Sequence, residues 1–277
     1  VDHPLALAVV GRPLAFVALA ALAFVPLEHV AAARPSRRRW FGADVAFATV
    51  GQIAVSAGLV LAVGVALAAL DGLAVDRPLC ARVADRRVRA VLEVAVGLVL
   101  FELGGYGYHR LAHRVPLLWR LHEVHHSSRQ MDWLASFRQH PVETLLQTLA
   151  QNAPLVLLGV PLGAHAAVLA VLKLNTVFVH ANVRVPAGPW ELVFATPRFH
   201  HRHHQRAGAA RNFSSLFPFV DRLFGTFSAE TATAFGVPAA TPETFAGLLA
   251  RPFRFSDRAA GAVPCGARQR GRSPSPP

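Results

Sequence analysis

The chain has 277 residues, enough for one large domain or two small ones, and 53% of them are hydrophobic. The apolar residues fall in long blocks, which favours a bilayer over an ordinary soluble core. The formal net charge of +12 is almost all arginine, scattered between those blocks without forming a stripe, and this argues against a nucleic-acid-binding protein.

In chain order, a first apolar segment covers 5–27, broken only by Arg12, a residue able to snorkel. It carries no basic n-region, so a span is expected rather than a cleaved signal. A linker with Arg34, Arg37, Arg38 and Arg39 follows. Segment two, 45–70, has no charged residue and is long enough to cross a hydrocarbon core of about 30 Å. The stretch 71–89 mixes Asp and Arg and reads as a loop or interfacial helix. Segment three, 88–108, is apolar with Glu93 and Glu102 inside it and runs into the first histidines. A polar stretch to Pro141 follows. Segments four and five, near 142–160 and 162–179, are joined at Pro161-Leu162-Gly163 as a helical hairpin, with Pro154 a kink candidate.

The remainder reads as a cap, and the tail ending Arg-Gly-Arg-Ser-Pro-Ser-Pro-Pro reads as disordered. The expected division is 1–90 as an N-terminal transmembrane hairpin with linkers, 91–257 as the catalytic domain and 258–277 as a disordered basic tail. The Arg34–Arg39 cluster favours the cytoplasm. Every later histidine cluster then lies on that same side of the membrane.

Cys80 and Cys265 fit neither a metal spacing nor a disulfide framework. Histidine is the outlier: of fourteen, twelve lie between His109 and His204. His109 and His113 are four apart and share a helical face. His122, His125 and His126 have i, i+3, i+4 spacing, as do His200, His203 and His204, and His180 stands alone between those groups. Neutral imidazole is a common ligand for iron, zinc, copper and nickel. One ion of four to six coordination cannot use nine histidines, whereas two ions can. His3 and His29 read as incidental, His165 as a core or interfacial residue, and His201 as facing away from the ligands. Glu102 is expected either to accept the second ring N–H of a ligand histidine or to sit in water at the boundary. His122-Glu123-x-x-His126 also matches a zinc-peptidase signature, with Glu123 as general base. A non-catalytic metal-binding membrane protein is a further reading.

The order His-x3-His, His-x2-His-His, a lone histidine after a hairpin, then a second His-x2-His-His resembles the fatty acid hydroxylase/sterol desaturase superfamily. Supporting pieces are Tyr106–His113, Leu121–Ser127, Phe137-Arg-Gln-His-Pro-Val-Glu143, Phe178–Asn182, Thr196–His200, Asn212-Phe-Ser and Asp221–Thr226. The resemblance implies an all-α fold of about four to five membrane segments, with a cytosolic histidine-rich cap holding two iron ions. It implies hydroxylation or desaturation of a lipid with O₂ as co-substrate. The electrons would come from an external reductase, ferredoxin or cytochrome, since no flavin or haem motif is visible. A bacterial inner membrane is the expected location. Carried over by motif, the ligands are His109, His113, His122, His125, His126, His180, His200, His203 and His204, with His140 a further candidate. Arg184 stands where some members have another histidine. Fatty acyl chains, sterols and related apolar substrates remain open.

Overall fold

The computed structural model describes residues 7–35, 41–63, 65, 69, 80–160 and 162–254. The regular elements among them are all helices, without a strand; the linker after the first helix and the loop after His180 meet in an isolated Ala32–Val183 bridge. Part of 64–79, the hairpin residue Pro161, His3 and the tail from residue 255 lie outside the described residues, as does the side chain of His165.

Helix α1, Leu7–Val30, and helix α2, Phe41–Leu61, are both long and apolar enough to cross a membrane, and both begin with or contain a π-helical turn. Only 11% of the most apolar window of α1 and 28% of that of α2 is buried, which is unlike the core helices of a soluble protein. Helix α3, Arg86–Ala112, starts where the Asp85 side chain accepts from the N–H groups of Arg87 and Val88. This cap satisfies two of the donors that every helix N-terminus leaves free. Its 27 residues reach about 40 Å and carry His109 in the last turn.

Proline opens the next helices, where its missing N–H costs nothing. They are α4, Pro116–His126; α5, Pro141–Leu157; α7, Pro197–His203; and α8, Pro218–Leu223. Helix α6, Leu162–His180, returns antiparallel to α5, and α9, Phe245–Ala250, closes the cap. Helices α3 and α5 cross closely at Gly104 and Gly105. A methyl group on Gly104 would run into the Ala150 carbonyl, and one on Gly105 would fall 2.9 Å from the Gln151 amide nitrogen. Small residues are what allow two backbones to approach in this way.

Three carboxylates, Asp44 and Glu102 buried and Glu28 half-buried, tie the cap to the apolar helices. Glu28, at the end of α1, accepts from the N–H groups of Trp133 and Asn182. Asp44, in the first turn of α2, pairs with Arg138. Glu102, deep in α3, accepts from the N–H groups of Ser215, Leu216 and Phe217. Glu102 thus contacts neither a ligand-candidate ring nor bulk water: it is 2% exposed, and it anchors the loop before α8.

Candidate metal centre

Nine histidines converge from four helices at the point where the cap meets the apolar bundle. None is more than 7% exposed. They divide into two groups: His109, His113, His122, His126 and His203 in one, His125, His180, His200 and His204 in the other. Within each group the available ring nitrogens all lie within 4.8 Å of one another.

The division follows from helix geometry. On α4, His122 and His126 are one turn apart and enter the five-histidine group, while His125 turns to the other. On α7 the pattern is reversed: His200 and His204 enter the four-histidine group and His203 the five-histidine group. Each His-x2-His-His motif therefore serves both groups. The Thr196 hydroxyl, which accepts from the Phe199 N–H, fixes the start of α7.

Ring orientation is set by the second nitrogen. His109 Nδ1 donates to the Phe213 carbonyl at 2.7 Å, His125 Nδ1 to the Arg138 carbonyl at 3.1 Å, His180 Nδ1 to the Thr176 carbonyl at 2.7 Å and His203 Nδ1 to the Arg211 carbonyl at 2.8 Å. His122 Nδ1 bonds the buried carboxylate of Glu143. A carbonyl only accepts, so those Nδ1 atoms carry the proton and the neutral rings present a bare lone pair at Nε2.

Those lone pairs face each other. His125 Nε2 lies 3.2 Å from His180 Nε2, and the Nε2 atoms of His122 and His203 both lie 3.0 Å from that of His126. Between His125 and His180 no proton is available, so the contact is between two acceptors and cannot be a hydrogen bond. His109 Nε2 has no hydrogen-bond partner among the described residues. A buried acceptor without a donor is costly. Protonation is no remedy: burial and the neighbouring rings hold His113, His125, His126, His200, His203 and His204 well below the ordinary value of 6.5. What the lone pairs fit is a cation at the focus of each group. A set of neutral imidazoles with a hydrogen-bonded outer shell suits a first-row transition metal.

The other candidates stand apart. His140 caps α5: its Nδ1 accepts from the Val142 N–H and its Nε2 donates to the Leu249 carbonyl, so both nitrogens are engaged outside the two groups. His201 faces away, donating from Nε2 to the His180 carbonyl and accepting at Nδ1 from Arg34. Glu123 points out of the cage and forms a two-pronged pair with Arg251. Arg184 is exposed.

Glu143 is the carboxylate that sequence reasoning did not single out. Its signal was its place three residues after His140, in His-Pro-Val-Glu. Asp221 and Asn212 are two further supporting side chains. Asp221 is fully buried and accepts from the N–H groups of Phe213 and Ser214. Asn212, with a left-handed φ of 58°, donates to the carbonyls of Phe199 and Ser228. Between them they hold the loop whose carbonyls orient His109 and His203.

The family model described as Fatty acid hydroxylase matches residues 94–226. Those residues hold all nine convergent histidines. Through them the chain is similar to the fatty acid hydroxylase family over just under half of its length. It is 36% identical over 166 residues to ornithine lipid hydroxylase OlsE of Rhizobium tropici, covering 58% of this chain and 50% of that protein. It is 32% identical over 131 residues to the alkylglycerol monooxygenase of Homo sapiens, covering 47% of this chain and 29% of that one. The Danio rerio alkylglycerol monooxygenase is likewise 32% identical, over 132 residues. The chain thus spans half the length of the first of these relatives and under a third of the others. No solved structure matches it.

A cavity of about 550 Å³ leads from the cage into the apolar bundle. His109, His122, His125, His180 and His200 line its inner end, and residues of α1, α2, α3, α5 and α6 form its walls. Its volume is that of a typical small-molecule site.

Proposed function

We propose that this chain is a membrane-embedded oxygenase that hydroxylates a lipid at a centre of two iron ions. The five-histidine group and the four-histidine group would each hold one ion. The observation that carries this reading is the pair of lone-pair foci whose histidines line a cavity running between apolar helices. Bound there, the ions supply the redox chemistry and O₂ activation that oxidising an unactivated C–H bond requires.

The residues of this chain have three tasks. Glu143 and the carbonyls of Phe213, Arg138, Thr176 and Arg211 hold the rings at fixed tilt and tautomer. The buried cap excludes water from the reacting carbon. The cavity walls align the hydrocarbon toward the cage. The relatives' names, a lipid hydroxylase and two alkylglycerol monooxygenases, support hydroxylation over desaturation and a polar lipid over a bare hydrocarbon. Electrons come from an external carrier of the reductase, ferredoxin or cytochrome type.

On this reading α3, α5 and α6 join α1 and α2 in the bilayer, with the histidine cage on the cytoplasmic side and a catalytic unit close to 91–257. Exposed large apolar residues on α3 and α6, including Val91 at 68% and Leu174 at 53%, support lipid contact there. The zinc-hydrolase reading is disfavoured because Glu123, its required base, is paired with Arg251 on the far side of α4.

The test is metal analysis of the purified protein, together with O₂ uptake and lipid mass spectrometry of cells with and without the gene. Iron with a product heavier by one oxygen supports the proposal. Loss of two hydrogens would redirect it to desaturation, and zinc without O₂ uptake would overturn it.

A further inference from the structure

The cavity is not uniformly apolar. Val55, Leu59, Phe101 and Leu172 form a greasy part of its wall, but polar side chains line the same space, among them Gln52 from α2, Gln147 and Gln151 from α5, and Lys173 from α6. Gln147 and Gln151 are one turn apart and share a face. Lys173 is the sole lysine of the chain. Its amine lies over the ring of Phe16, another wall residue, 5.5 Å from the centroid. Among the described residues none offers these four side chains an ion pair or a hydrogen bond. Other polar side chains of the same wall are provided for: Asn152 donates to the Thr148 carbonyl and Thr176 to the Leu172 carbonyl. Lys173 is exposed and the three glutamines are half-buried, so all four remain open to a polar ligand that enters the cavity between the apolar helices.

The geometry points to a recognition site for the polar end of the substrate, and we propose that Lys173, Gln147, Gln151 and Gln52 bind the anionic headgroup and carbonyls of an acyl lipid. The cation calls for a carboxylate or a phosphate. The amides, each both donor and acceptor, match ester or amide groups of the lipid backbone. An alkane would leave all four unpaired, and the single hydroxyl of a sterol would leave most of them so. Position along the helices sets the scale. Gln147 and Gln151 lie about 6 and 12 Å along α5 from Glu143, and Lys173 about 10 Å along α6 from His180. The polar end therefore sits beside the cage, and the hydrocarbon presented for oxidation lies near the headgroup. This inference rests on the lipid-oxidation reading above, but its test does not require turnover.

The full-length protein in nanodiscs is titrated with N-palmitoylglycine, its methyl ester, 1-oleoyl lysophosphatidic acid and 1-oleoylglycerol, and dissociation constants are measured. The expected result is that each anionic probe binds about tenfold or more tightly than its uncharged counterpart, the range of a hydrogen bond to a charged group. Whichever anion binds more tightly names the headgroup. Lys173→Met removes the preference, Lys173→Arg retains it, and Gln147→Leu with Gln151→Leu weakens charged and uncharged probes alike. Equal binding of acid and ester by the wild type, or an undiminished preference in a folded Lys173→Met variant, overturns the proposal. Should Lys173→Met fail to fold, the wild-type comparison and Lys173→Arg still decide it. Absence of iron and of O₂ uptake, by contrast, would defeat the oxygenase reading and leave this binding result standing.

Discussion

The two histidine groups are built from the same motifs but are supported differently. The five-histidine group draws on α3, α4 and α7, and one of its rings, His122, is backed by the Glu143 carboxylate. The four-histidine group draws on α4, α6 and α7, and the supports seen for it, at His125 and His180, are backbone carbonyls. A carboxylate makes an imidazole a stronger donor to a metal than a carbonyl does. The five-histidine group therefore has both a spare ligand and a charged support, while the four-histidine group has neither. The two sites are expected to differ in how firmly they hold an ion and in how well they survive damage.

The largest expected effect comes from removing a ligand of the smaller group. His125→Ala leaves three histidines there and should empty that site, halving the metal content of the purified protein and abolishing lipid oxidation. His109→Ala leaves four histidines in the larger group and should retain metal there, with reduced activity. Equal metal loss in the two variants would erase the proposed difference. Next in size is Glu143→Gln, which keeps a hydrogen-bonding partner for His122 but removes its charge. Metal affinity of the larger group should fall roughly 10- to 100-fold, the usual cost of losing such a support. Competition against a graded chelator measures it, and the smaller group should be unchanged.

Acid should act on both groups alike. The rings of His113, His125, His126, His200, His203 and His204 are held well below 6.5 by burial, so the unfolded chain binds more protons than the folded one once the pH drops below 6.5. Stability of the metal-free protein should fall as pH decreases through that value, and rise with pH toward neutrality. Thermal unfolding of the metal-free protein between pH 5 and pH 8 gives the slope directly.

Two acids outside the cage complete the series. Glu102→Gln replaces a carboxylate that accepts three backbone N–H groups with an amide that meets them less well. A loss of about 1–3 kcal/mol in stability is expected, with both sites still able to take up metal. Glu123→Gln should change turnover least of all, because its carboxylate faces Arg251 and not the cage. Complete loss of activity in a folded, metal-loaded Glu123→Gln protein would revive the hydrolase reading.

The histidine spacings, the prolines opening α4, α5 and α7, and the apolar blocks of α1 and α2 were all legible from local pattern, because each is a property of one helix. The family resemblance followed from the same motifs in the same order. What local pattern could not decide was how one helical face is shared. Spacing of i, i+3, i+4 puts His122, His125 and His126 on one side of α4, yet only the opposing placement of α3, α6 and α7 determines that two of them join one group and the third another.

The carboxylates show the same limit. Glu102 shares a face with His109, but seven residues of helix separate them by about 10 Å along the axis, so it meets the loop at Ser215–Phe217 instead. Glu143 lies 21 residues from His122 and reaches it only because α5 folds back beside α4. Gln147, Gln151 and Lys173 read as ordinary polar residues until α5 and α6 turn them toward one cavity. The sequence by itself determined which residues can bind a metal, since that is a matter of side-chain chemistry and helical period. The tertiary structure alone decided which of them meet and what supports them, since both depend on how helices far apart in the chain pack.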